Sequence, residues 1–111
     1  MKSIYICHDK TDKLHANQIK NMFEMENIEC QDLHQADVHL FIFSDSANRS
    51  KKVLDELQKI ISLDKKFLTL QYTNHAPSDE LSFYICATQW MDMKKDQALK
   101  HLLNKVLRQI R

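Results

Sequence analysis

The sequence predicts an α/β domain built on a mostly parallel sheet of four to five strands, with helices on both faces. Two observations predict it. Short apolar, β-rich runs alternate along the chain with longer segments whose apolar residues recur at helical spacing. The clearest of the runs, Val38 to Phe43, is apolar almost without a break, as expected of a strand covered on both faces.

Taken in order, Ile4-Tyr5-Ile6-Cys7 is the first strand, ended by the polar stretch His8 to Lys13. Thr11 or Asp12 can cap the helix that follows, because a side-chain oxygen there satisfies free N–H groups of the first turn. That helix runs to about Glu26, with Ala16, Ile19, Met22 and Phe23 on one face. Asn27 follows at the position where helices favour glycine and, next best, asparagine. Ile28-Glu29-Cys30 reads as a very short second strand and Val38 to Phe43 as the third. Ser44 to Ser50 is turn-like. A helix then covers about Ser50 to Leu63, with Val53, Leu54, Leu57, Ile60 and Ile61 on one side. Phe67 to Tyr72 is the next strand, and Thr73 to Ser78 is a loop holding Pro77, the only proline. Glu80 to Ile85 is a short helix and Ala87 to Met91 a last strand. Asp96 is placed to cap a final helix with the stripe Leu99, Leu102, Leu103, Val106, Leu107 and Ile110. In sheets of this kind ligands bind beyond the carboxyl ends of the strands, where strand order reverses. The loops His8–Lys13, Ser44–Ser50 and Thr73–Ser78 are therefore the ones to inspect.

The 111 residues are enough for one domain, spanning 1–111. A hydrophobic share of 43% and a charged share of 28% are those of a globular protein. A net charge of +1 argues against a general electrostatic grip on nucleic acid or on an anionic membrane. No apolar run approaches the roughly 20 residues that span a bilayer. The start of the chain enters a strand-like run without a secretory pattern, so a cytoplasmic location is expected. Cys7, Cys30 and Cys86 are an odd, widely spaced set, which is no disulfide framework. Cys30, His34 and His39 match no zinc spacing, and no metal is expected. Glycine is absent, where an average usage of about 7% would give roughly eight. That removes every phosphate site built on glycine-rich loops, the P-loop and the Rossmann fingerprint included. No bound cofactor is expected.

Three stretches in order resemble the TIR (Toll/interleukin-1 receptor) family, in a small bacterial form. Tyr5-Ile6-Cys7-His8 followed by Asp12 is similar to the first-strand motif. Asp37 through Leu57 resembles the third strand and the helix after it, with Ser50, Val53 and Glu56 in the family's Ser-x-x-Val-x-x-Glu spacing. Pro77-Ser78-Asp79-Glu80-Leu81 leading to Gln89-Trp90-Met91-Asp92 is similar to the closing segment of bacterial TIR domains. The resemblance implies a flavodoxin-like fold. It also implies an NAD+ hydrolase that releases nicotinamide in bacterial immune or stress signalling, with Glu56 as the catalytic residue and NAD+ or a related nucleotide as substrate. His8, Asp9, Lys10 and Asp12 then belong to the loop lining the nucleotide site, with Ser44, Ser50 and Trp90 around it. Other TIR domains or a sensor protein are the implied partners, and a homo-oligomer is compatible with it.

Each of these residues also has a structural reading. Glu56 lies at the edge of its helix's apolar stripe, where a partly desolvated carboxylate can stabilise a positive charge developing on ribose. Lys52 and Lys59 are equally placed to pair with it as a solvated helix residue. His8, Asp9 and Lys10 suit a polar strand-to-helix turn, Ser44 and Ser50 suit turns and caps, and Trp90 suits core packing. The family alternative is a non-catalytic TIR module that docks on another TIR domain or a sensor. A phospho-acceptor receiver domain shares the fold, and Asp9, Asp45, Thr73 and Lys94 imitate its layout.

The chain departs from the family in two places. Only the seven residues Gln31 to Asp37 separate Cys30 from Val38, whereas a parallel crossover normally takes a dozen or more. Either Ile28–Cys30 is not a paired strand, or it sits differently in the sheet. The family's BB loop, which mediates assembly and helps complete the NAD+ site, and the helix after it are thereby missing. Cys7-His8 also replaces the family's Ser-Tyr.

Overall fold

The computed structural model describes residues 2–110, the side chain of Ile110 excepted, so this last member of the expected stripe lies outside the described side chains. The elements are β1 (Ser3–Cys7), α1 (Lys13–Glu24), β2 (Glu29–Cys30), β3 (Val38–Phe43), α2 (Lys51–Leu63), β4 (Lys66–Gln71), α3 (Asp79–Ile85), β5 (Gln89–Asp92) and α4 (Ala98–Ile110). The five strands form one sheet in the order β2-β1-β3-β4-β5, every pair parallel. This is a flavodoxin-like α/β fold, with strand order reversing between β1 and β3.

Strand alternation divides the core in two. Ile4, Val38, Leu40, Ile42, Leu68 and Leu70 face α1 and α4, meeting Ile19, Phe23, Leu102 and Val106. Cys7, Phe41 and Phe43 face α2 and α3, meeting Val53, Leu57, Ile60, Leu81 and Ile85. All six residues of β3 are buried, as its nearly continuous apolar run predicts, and His39 is buried with them.

Local chemistry sets the boundaries. Ser50 caps α2 by accepting from the Val53 amide at 3.2 Å, and Ser78, after Pro77, caps α3 by accepting from Leu81 at 3.2 Å. With no glycine available, the left-handed positions fall to Asn27 (φ 62°), Asp64 (φ 52°) and Gln97 (φ 60°). The first helix starts differently from expectation. Asp9, rather than Thr11 or Asp12, supplies the cap, accepting from the Thr11 amide and starting a 3₁₀ turn, Lys10–Asp12, that leads into α1. The last strand begins two residues late, because Ala87 and Thr88 close α3, with the Thr88 amide donating to Ile85. The final helix begins at Ala98, two residues beyond Asp96, after the left-handed turn at Gln97.

The short connection has a simple geometric explanation. Ile4 is flanked by Cys30 on one side and by Val38 on the other. The end of β2 and the start of β3 therefore stand at the same height beside β1. The chain has to cross two strand spacings, about 10 Å, with no return along the strand axis. Seven residues, able to span roughly 23 Å when extended, do this comfortably. The segment Gln31–Asp37 passes at the amino end of the sheet, tucking Leu33 into the α2 side of the core. Neither possibility left by the sequence holds: β2 is a paired strand at the ordinary edge position beside β1, and the connection is short because β2 stops early.

Candidate functional site

The seam between β1 and α2 gathers most of the residues of interest. Burial of Val53, Leu57 and Ile60 fixes the roll of α2 and leaves Glu56 half-buried at the edge of that stripe. Its carboxylate accepts a hydrogen bond from the Tyr5 hydroxyl of β1. Neither Lys52 nor Lys59 forms an ion pair with it among the described residues, where the ion pairs are His75–Asp45 and Lys94–Asp92. Burial, then the bond to Glu56 and its charge, push the Tyr5 phenol well above its usual range. The Cys7 thiol is raised too, first by burial and then by the charge of Glu56, against a smaller opposing pull from Lys52.

His8, Asp9 and Lys10 continue directly from β1 above this seam. The His8 ring donates through Nδ1 to the Asp9 carbonyl at 2.7 Å. Asp9 accepts from the Thr11 hydroxyl at 2.6 Å and from its amide at 3.0 Å, which hold its carboxyl below the usual range, with Ser50 and Lys10 adding to the effect. Asp9 and Ser50 thus meet just beyond the end of β1, and Glu56 meets Tyr5 within the same strand.

Asp12 and Ser44 form a separate pair. Ser44 Oγ donates to the buried Asp12 carboxylate at 2.5 Å and accepts from the Ala47 amide at 3.1 Å. Their neighbour is Tyr72, whose phenol is pushed up to about 12 by burial and by the Asp12 charge. Tyr72 packs with the α1–α4 half of the core, so this pair stands on the opposite side of the strand ends from Glu56. Trp90 is apart from both. Its indole donates to the Ile85 carbonyl at 2.9 Å and its ring meets Phe43 edge-on at 5.6 Å. β5 lies three strand positions from β1, about 14 Å.

Tyr5 is the residue that sequence reasoning missed. The signal was available: alternation puts Tyr5 on the same sheet face as Cys7, under α2. A second group, also unforeseen as a unit, ties the strand-end loops together. Thr73 Oγ1 donates to Asp45 at 2.7 Å, His75 Nδ1 donates to the same oxygen at 2.7 Å, and Asn48 bonds Ala76 and Ser78. Of the receiver-like set, then, Asp45 and Thr73 meet, while Lys94 bonds Asp92 at 2.8 Å. No group of three or more His, Cys, Asp and Glu residues suited to a metal ion occurs among the described residues. No helix among them is long and apolar enough to cross a membrane.

Two clefts lie off the seam. One of about 320 Å³ between α2 and α3 is lined by Leu54, Asp55, Gln58, Glu80 and Tyr84. Another of about 490 Å³ at the start of α4 is lined by His15, Tyr72, Met93, Lys94 and Leu99. Glu56 lines neither.

No family model and no curated protein matches this sequence. The fold itself is that of a TIR domain. The chain is similar to the TIR domain of the Toll-related receptor TRR-2 from Hydra magnipapillata, with a TM-score of 0.78 over 97% of each chain. The sequence identity is 12%, so this likeness establishes the fold.

Proposed function

We propose that the protein is a TIR-type signalling domain that hydrolyses NAD+, releasing nicotinamide, with Glu56 as the catalytic residue. The observation that carries this reading is the position of one carboxylate. Glu56 is half-buried at the β1–α2 seam, below the His8–Lys10 loop, where the sequence resemblance expects the nucleotide. In the reaction the bond from ribose C1′ to the nicotinamide nitrogen breaks, its electron pair leaves with nicotinamide, and the sugar gains oxocarbenium character. A fixed carboxylate in a partly desolvated seam stabilises that cation more strongly than bulk water does. Water then adds to C1′ and a proton is released, giving ADP-ribose. The Tyr5 hydroxyl orients the carboxylate, and Asp9, Lys10 and Ser50 border the space for the remainder of the nucleotide.

A second reading rests on a specific observation. The segment Gln31–Asp37 lies at the amino end of the sheet, so it does not cover the seam from above. A module that docks on another TIR domain or a sensor protein needs no covered seam. One experiment separates the two. Purified protein at high concentration is incubated with NAD+ and nicotinamide is followed by chromatography, beside Glu56→Gln. Release that falls on the order of 10²–10³-fold in the variant supports the enzyme. No release from the folded wild type supports the docking module.

A further inference from the structure

His39 is the one fully buried histidine of β3, and it faces the short connection. Its Nε2 lies 2.7 Å from the Leu33 carbonyl oxygen. A carbonyl only accepts, so Nε2 carries the proton and Nδ1 is the bare nitrogen. That Nδ1 is buried and has no hydrogen-bond partner among the described residues. We infer that His39 is a proton-operated latch: neutral, it holds the connection Gln31–Asp37 against the sheet, and protonated, it releases it.

The groups around the ring favour this behaviour. From β1, the Tyr5 ring meets His39 edge-on at 6.2 Å, and its hydroxyl is already committed to Glu56 of α2. Cys7, farther along the same face of β1, holds its proton on sulfur, and Lys52 of α2 stands near that thiol. On β4 the residue in register is Phe67, which carries no charge. Just before β4, the Lys65 ammonium donates to the carbonyls of His34 at 3.0 Å and Ala36 at 2.8 Å, and its charge repels a second cation nearby. At the foot of β1, Asp37 is bonded to Ser3, and Asp32 accepts from the amides of His34 and Gln35. No carboxylate is bonded to Nδ1 among the described residues. Adding a proton there creates a buried, charged N–H with nothing to accept it.

The sign follows from linkage. Burial outweighs the Leu33 bond and lowers the affinity of His39 for a proton in the closed form. The open form, with the ring in water, titrates near 6.5. The closed form is therefore fully favoured above about pH 6.5, and the open form gains as pH falls below it, by up to about tenfold per pH unit for one proton. Because Tyr5 rests on the His39 ring, opening also removes a wall behind the Tyr5–Glu56 bond. The latch does not depend on whether the seam is catalytic.

Amide hydrogen exchange over Leu33–Asp37 tests this, at pH 7.5, 6.5 and 5.5, corrected for intrinsic rates, on wild type and His39→Gln. Glutamine keeps a neutral donor for Leu33 and does not titrate. Protection in the wild type is expected to fall several-fold between pH 6.5 and 5.5 and to stay level in the variant. A wild-type segment equally protected at pH 7.5 and 5.5 overturns the latch, as does a variant that shows the same loss. Should His39→Gln not fold, ring ¹⁵N shifts of the wild type decide the matter. An Nε2–H tautomer persisting at pH 7.5 and a titration below 6.5 that tracks the exchange support it. A ring charged at neutral pH overturns it.

Discussion

The Tyr5 hydroxyl donates to the Glu56 carboxylate, and this one bond joins the first strand to the second helix across 51 residues of sequence. Removing the hydroxyl with Tyr5→Phe is expected to cost about 1.5–3 kcal/mol in chemical denaturation, the usual range for a hydrogen bond to a charged group. Glu56→Gln keeps an acceptor and is expected to cost less than Glu56→Ala. A double-mutant cycle over Tyr5 and Glu56 checks the pair, with additive losses counting against the bond.

Ser44 is the only donor bonded to the buried Asp12 among the described residues, and it also receives the Ala47 amide. Ser44→Ala leaves a buried acceptor without its hydroxyl and the turn after β3 without its cap. A loss of about 1–3 kcal/mol is expected, read as a lowered denaturation midpoint with an unchanged slope. A variant as stable as wild type would show that water substitutes fully for the hydroxyl.

The two raised phenols predict alkaline sensitivity. Tyr72 is held up to about 12 and Tyr5 higher still, whereas an unfolded tyrosine ionises near 10. Between those values the folded chain binds more protons than the unfolded one. Its stability is therefore expected to be intact below pH 10 and to fall as pH rises above it. Tyr72→Phe is expected to flatten that fall, measured as denaturation midpoints from pH 9 to 11.5.

Much of the sheet was legible because β3 is apolar at every position but His39, β4 centres on Phe67, Leu68 and Leu70, and α1 and α2 carry clear stripes. The end of the chain was harder to delimit. Ala87 and Thr88 have no strand-excluding side chain, and only the turn closing α3 decides that pairing starts at Gln89. The cap at Asp9 was missed because Asp9, Thr11 and Asp12 all offer a side-chain oxygen within four residues, and nothing local ranks them. In the candidate site, the half-buried edge position of Glu56 was readable from helix periodicity. Its partner was not, since a bond between residues 5 and 56 has no local signature. The placement of Gln31–Asp37 was equally hidden: the crossover rule assumes that a strand runs its full height, and β2 stops after two residues.

The lack of glycine also acts where no contact can be seen, in the chain before it folds. A glycine in a disordered chain samples more backbone conformations than any other residue, and all but one are lost on folding. Where another residue fits the native backbone, its presence in place of glycine is worth about 0.4–1 kcal/mol through the unfolded state. The cost appears at Asn27, Asp64 and Gln97, where residues with a Cβ hold left-handed angles. Two of those three are the types that tolerate such angles best. The molecule thus accepts local strain at three turns in return for a stiffer unfolded ensemble, and its stability is written partly in the states that it never visits.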